Sequence, residues 1–216
     1  MTQIATITGQ SRSSSTADQL RAHILRGSLL PGEHLTQAEL AQRFNMSKVP
    51  VREALKQLHA EGFLSHDHNR GYFVSPLSHE EAMQLYKMRR WVESELLATA
   101  RWPTSAELAA LRKLSEKVTM PVSRANREEW VAALGELRRA IFALSTKKIL
   151  YREAVRLWNL TDRYRAILPD DKSMTGEKKI IDCLEKKDRE NLLEVYHEDR
   201  DRIESILEDS LPVGMF

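Results

Sequence analysis

TQAELAQRFNMSKVPVREALKQLHAEGFLSHDHNRGYFV, residues 36–74, carries two short helical patterns, a tight turn and a hairpin pattern. Leu40 and Phe44 share one helical face. Val51, Ala54, Leu55 and Leu58 share another, at the i, i+3, i+4 spacing of a buried stripe. Thr36 followed by Glu39 reads as a capping box, so the first helix begins there. Asn45 and Met46 leave a short turn before Ser47, which is placed to N-cap the next helix, and Pro50 falls in that helix's first turn, where a missing N–H costs little. Phe63 and Leu64, the polar run from His66 to Gly71, and Tyr72 to Val74 then read as strand, turn and strand. Together these elements make a winged helix-turn-helix, an arrangement that lays its second helix in the major groove of DNA.

Rotation about the second helix sets Val49, Arg52, Glu53 and Lys56 opposite its apolar stripe, with Lys48 at the N-terminal edge. Arg52 can pair with a guanine edge and Val49 can touch a thymine methyl, while Lys48 and Lys56 can hold phosphates. Ser47, Pro50 and the free amides beside them complete a phosphate-facing helix start. Arg70 and Gly71 at the wing tip suit the backbone or the minor groove. Any surface helix shows a few cations; the surrounding motif is what assigns these to DNA. His66 and His68 read as solvated or phosphate-facing rather than as a metal pair.

Composition bounds the rest. The 216 residues, 42% hydrophobic, suffice for two domains, and no apolar run is long enough to span a membrane. MTQIATITGQSRSSST lacks a charged start followed by an apolar core, so residues 1–15 are expected to be a flexible arm and the protein to stay in the cytoplasm. A single cysteine, Cys183, excludes an internal disulfide, and its setting beside Ile180, Ile181 and Leu184 makes it a core thiol. Residues 1–76 hold eight Lys or Arg against six Asp or Glu, and the remainder balances at 25 against 25. The overall +2 therefore lies on the DNA side, but motif and spacing carry that reading more than charge does.

Residues 16–76 form the expected winged domain, and beyond it, over 77–212, the pattern is helical alone. Caps are recognisable at Ser78 with Glu81, Thr104 with Glu107, Asn126 with Glu129, Thr175 and Asp188, giving about six helices. Pro76 marks the junction, and Pro103, Pro121 and Pro169 fall where helices should end. The expected fold is mainly α: a winged helix-turn-helix followed by an antiparallel helical bundle. Trp91, Trp130, Trp158, Tyr151 and Tyr164, at helical spacing, are expected in its core. Catalysis finds little support. Glu194 and His197 form one ExxH pair, whereas a di-iron carboxylate bundle needs two plus further inward Glu. No phosphate-cradling glycine loop, GxSxG or HExxH is present, so the chain is not expected to be an enzyme.

LLPGEHLTQAELAQRFNMSKVPVREALKQLHAEGFL resembles the DNA-binding domain of the GntR family of bacterial transcription regulators, with the likeness running from about Thr16 to Ser75. Val49 departs from the polar residue the family usually has there. YKMRRWVESELLATA, residues 86–100, looks like the opening helix of the FCD domain of the FadR subfamily, with Arg89 and Glu93 at that domain's usual Arg and Glu. The resemblance implies a homodimer joined through the helical halves, a palindromic double-stranded DNA operator, repression as the commoner outcome, and a small carboxylate effector. Many members hold a divalent metal through an Asp and three His. Alignment places Leu134, Arg138, Glu177 and Asp199 at those positions. A leucine cannot coordinate and a guanidinium repels a cation, so neither metal nor cofactor is expected. His197 lies near the fourth position and cannot restore the set alone. Arg138 can instead offer a carboxylate bidentate hydrogen bonds, with Arg89 as second anchor and Glu177 and Asp199 beside them. The alternative is that Arg138 pairs with Glu177 or Asp199 and fills the cavity, leaving a bundle that only dimerises.

Overall fold

The computed structural model describes residues 15–119, 126–166 and 176–211. The expected arm over 1–14, the cap at Thr175, and the breaks at Pro121 and Pro169 lie outside them.

Six elements make the winged half: α1 (Thr16–Leu25), β1 (His34–Leu35), α2 (Gln37–Arg43), α3 (Lys48–Ala60), β2 (Leu64–Asp67) and β3 (Gly71–Val74). α1 opens on a full capping box between Ser15 and Asp18 and packs its Leu20, Ile24 and Leu25 into the core with α3. The antiparallel sheet runs β1-β3-β2, with His34 opposite Phe73 and Leu64 opposite Val74. At two residues, β1 is too short to leave an alternation in the sequence.

The turn between α2 and α3 follows from the end of α2. Asn45 takes a left-handed conformation at φ 51°, which its short polar side chain tolerates. The Met46 amide then donates to the Ala41 carbonyl at 2.9 Å, closing a Schellman motif. Two expected caps differ in detail. Thr36 Oγ1 accepts from the Glu39 amide, but the Glu39 carboxylate turns to the Thr36 hydroxyl at 2.7 Å. Ser47 occupies the N-cap position of α3 in extended geometry, yet makes no side-chain cap bond and is exposed.

The second half comprises α4 (His79–Ala98), α5 (Ser105–Val118), α6 (Arg127–Phe142), α7 (Lys148–Asp162), a 3-10 turn (Arg163–Ala166), α8 (Glu177–Lys186) and α9 (Arg189–Ser210). α4 packs between α7 and α9, while α5 packs against α6 and α8. Thr104 and Glu107 form a full capping box, and Asp188 accepts from the Asn191 amide. Ser78 caps α4, but Glu81 gives its carboxylate to Arg163 and Tyr164 instead. Asn126 makes no side-chain cap bond.

α4 explains a misread aromatic. Its buried stripe is Ala82, Leu85, Tyr86, Arg89, Glu93, Leu96 and Leu97, which turns Trp91 outward at 64% exposure. Trp130, Trp158 and Tyr164 are buried, and Tyr151 is partly so. Cys183 is a buried core thiol beside Ile180, Ile181 and Leu184. Among the described residues no helix is long and apolar enough to cross a membrane.

Candidate functional site

α3 presents its cations to solvent. Val51, Ala54, Leu55 and Leu58 face the core, leaving Ser47, Lys48, Val49, Pro50, Arg52 and Lys56 exposed. Val49 is 63% exposed. Glu53 holds both neighbours, accepting from Arg52 Nε at 3.1 Å and Lys56 Nζ at 3.3 Å, and these contacts lower its pKa. Exposed pairs of this kind are weak, so a phosphate or base edge can replace Glu53 at little cost. The wing ends in a turn in which Asp67 accepts from the amides of Asn69 and Arg70. Gly71 follows at φ 90°, and Arg70 lies over the Phe73 ring at 5.1 Å with its side chain exposed. Recognition helix and wing tip thus offer two separate cationic points.

The bundle buries charge instead. Glu93 is its organiser: Oε1 accepts from Arg89 Nε at 2.8 Å and Trp158 Nε1 at 2.6 Å, and Oε2 from the Tyr196 hydroxyl at 2.9 Å. Arg89 Nη1 also donates to Thr161 Oγ1 at 2.9 Å. Arg200 Nη1 stands 4.0 Å from Glu93, and its Nη2 donates to Asp199 Oδ2 at 2.6 Å. Burial would raise Glu93, but the cations Arg89, Arg200 and Arg138 overcome it and lower its pKa to about 2. Polar atoms are nevertheless left over: Arg89 Nη2, Arg200 Nε and Arg200 Nη1 are buried without a hydrogen-bond partner among the described residues, as are the Tyr86 hydroxyl and Glu177 Oε2.

Three of the aligned positions gather beside this group. Arg138 lies 3.9 Å from Glu177 and 3.9 Å from Asp162, beyond hydrogen-bond length. Burial and the neighbouring Asp199 carboxylate raise Glu177 above the usual glutamate value, against the pull of Arg138 and Arg200. Burial opposes ionisation of Asp199 too, but Arg200 and Arg202 hold its pKa down. Leu134 is buried and apolar. These residues do not fit a divalent metal: one position is a hydrocarbon, another a cation, and among the described residues no group of three or more His, Cys, Asp or Glu could hold a metal ion. His197 is partly buried against Ser94, 3.5 Å away, and Glu194 is exposed, so the ExxH pair does not converge.

The sequence reading missed Arg200, Tyr196 and Tyr86, whose ring lies 5.0 Å under the Arg89 guanidinium, as members of the cluster. Arg200 and Tyr196 are joined to Glu93 from more than a hundred residues away, and no local spacing signals such a pairing. For Arg200 the one available signal was its place on the α9 stripe with Tyr196, Ile203 and Leu207.

Comparison with known proteins agrees with this architecture. Residues 12–74 match the model of the bacterial regulatory proteins of the gntR family, and residues 84–201 match the FCD domain. The HTH-type transcriptional repressor GlaR of Escherichia coli K12 is 32% identical over 153 residues, 68% of this chain and 70% of that protein. The Nta operon transcriptional regulator of Aminobacter aminovorans is 37% identical over 83 residues; that match spans 38% of this chain and 40% of the relative's length. The solved structure of E. coli McbR/YncC shares the fold, with a TM-score of 0.73 at 24% identity over 89% of this chain and 95% of that one. These families and relatives are regulators, not enzymes. The chain belongs to the GntR family and is a DNA-binding transcriptional regulator with a C-terminal FCD domain.

Proposed function

We propose that this regulator acts as a homodimeric repressor whose helical halves pair and whose two winged domains bind a two-fold symmetric operator. A small carboxylate held in the bundle sets its affinity for that operator. Residues 16–76 read DNA and residues 77–212 dimerise and sense. The observation that carries the sensing half is the buried guanidinium donors of Arg89 and Arg200 that have no hydrogen-bond partner among the described residues. Buried donors without acceptors are costly, and a carboxylate brings two acceptors in the planar geometry a guanidinium fits. Arg138 adds a third cation, with Glu177 beside it at 3.9 Å, and Asp199 orients Arg200. In the reading half, Arg52 and Val49 meet base edges, Ser47, Lys48, Pro50 and Lys56 line the phosphate side, and Arg70 with Gly71 reaches the neighbouring groove. Repression is supported by the similarity to GlaR, a repressor. Such an effector acts only through its different affinity for the DNA-competent and incompetent arrangements.

Selection of duplexes from random DNA, followed by sedimentation of the protein free and bound, tests the reading half. Two inverted half-sites about one helical turn apart, bound by a dimer, are expected. A single asymmetric site bound by a monomer would contradict it.

A further inference from the structure

The end of α7 touches both halves of the molecule, and does so with opposite faces. Trp158, Thr161 and Asp162 form one i, i+3, i+4 set. They meet the charge cluster: Trp158 donates to Glu93, Thr161 accepts from Arg89, and Asp162 lies 3.9 Å from Arg138. Leu160, Arg163 and Tyr164 form a second set with the same spacing, turned about 200° from the first at about 100° per residue. Leu160 and Arg163 of this set reach the winged half, while Tyr164 and the second arm of Arg163 hold the start of α4. Arg163, buried to 5% exposure, donates through Nη1 to the carbonyls of Gly62 at 3.3 Å and Pro76 at 3.4 Å, and through Nη2 to Glu81 at 2.5 Å. The Tyr164 hydroxyl reaches the Ser78 carbonyl and Glu81 at 3.2 and 3.0 Å. Leu160 lies so close to Gly62 that a Cβ there would collide with it, and Gly62, at φ 82°, is the residue that ends the recognition-helix turn.

We propose that the last turn of α7 and the first residues of the 3-10 turn after it, from Trp158 to Tyr164, are the coupling element between the buried arginine cluster and the recognition helix, with Arg163 as its latch on Gly62 and Pro76. A small rotation of this turn cannot change the contacts of Thr161 with Arg89 without also moving Leu160 and Arg163 against the base of α3. Arg163 therefore transmits the state of the bundle by fixing the pose of the winged half, and contacts neither DNA nor the cluster's Glu93. The inference rests on the proposed sensing role only for what drives the turn.

Amide hydrogen exchange of the intact protein tests it without any ligand. The Gly62, Phe63 and Ser75 amides are bonded to the carbonyls of His59, Leu58 and Phe63. Arg163→Met should speed their exchange by about tenfold. Thr161→Val, altered only on the cluster side, should speed the same three amides by roughly threefold or more, and the double variant should add little to Arg163→Met. Leu111→Ala, a core cavity in α5 away from α7, controls for general destabilisation and should leave those amides unchanged relative to the rest of the bundle. If Arg163→Met does not fold, Leu160→Ala replaces it, with the same direction expected. Thr161→Val behaving like Leu111→Ala, or additive effects in the double variant, would overturn the coupling. Transmission with no response to any carboxylate would keep the coupling and remove the sensing role; carboxylate binding without transmission would do the reverse.

Discussion

On α3 the side chains of Arg52 and Lys56 are 52% and 59% exposed, whereas in the bundle those of Arg89, Arg138 and Arg200 are 0%, 5% and 3% exposed. The exposed pair shares one weak partner, Glu53, which water and salt already contest. Such cations can change partners at little cost, as a DNA-reading surface requires. The buried set has given up hydration worth several kcal/mol per ion and depends on Glu93 and Asp199 to remain folded. There a partner is structural first, and only the donors left over are open to a ligand. Burial thus separates cations that can exchange partners from cations whose partners hold the fold together.

The comparison breaks most sharply at Glu93. Glu93→Gln should cost about 3–5 kcal/mol in denaturant unfolding, because it leaves buried guanidinium groups uncompensated. Unchanged stability would show that the cluster is solvated. Acid sharpens the same point. Glu93 titrates at about 2 in the fold against its ordinary 4.5, so its contribution is complete above that ordinary value and is lost as pH falls toward about 2. Wild type should therefore show an acid limb of destabilisation that Glu93→Gln lacks. Glu177 runs the other way: its raised pKa makes its contribution complete at low pH and lost as pH rises through its folded value.

Arg52→Ala should weaken specific operator binding by about 1–3 kcal/mol while altering stability by no more than about 0.5 kcal/mol. Unchanged operator affinity would mean that α3 is not the reading helix. The smallest effect is expected at Lys56→Ala, which should weaken binding evenly across sequences and lower the salt slope by about one.

How far each half could be read from sequence follows the same division. The winged half was legible because its signals are local: the Leu58 stripe, the Asn45 turn and the strand pattern each lie within a few residues. Its misses were also local, with Glu39 bonding a hydroxyl instead of an amide and Ser47 left uncapped. In the bundle, the buried stripe of α4 includes Arg89 and Glu93, so a reading by hydrophobicity put Trp91 inward when it points to solvent. Arg138, Glu177 and Asp199 came from a resemblance. Arg200 and Arg163 did not emerge at all, because Arg163 bonds Gly62, Pro76 and Glu81 from 82 to 101 residues away and Arg200 meets Glu93 across in α4. Buried charge is specified by tertiary contact, and periodicity does not encode it.

In the proposed function the buried arginines sense an anion. A thermal-shift screen of the purified protein against small carboxylates and divalent metals, with a chelator-treated control, addresses it most directly. A ligand at a hundredfold excess over its Kd should stabilise by about 2.7 kcal/mol, a shift of roughly 5–10 °C for a chain of this size. Such a shift is expected with a carboxylate, chelator or not, together with its loss in Arg138→Ala and Arg200→Gln variants that still melt cooperatively. A shift produced by a metal and abolished by the chelator, or no shift with any carboxylate, would contradict it.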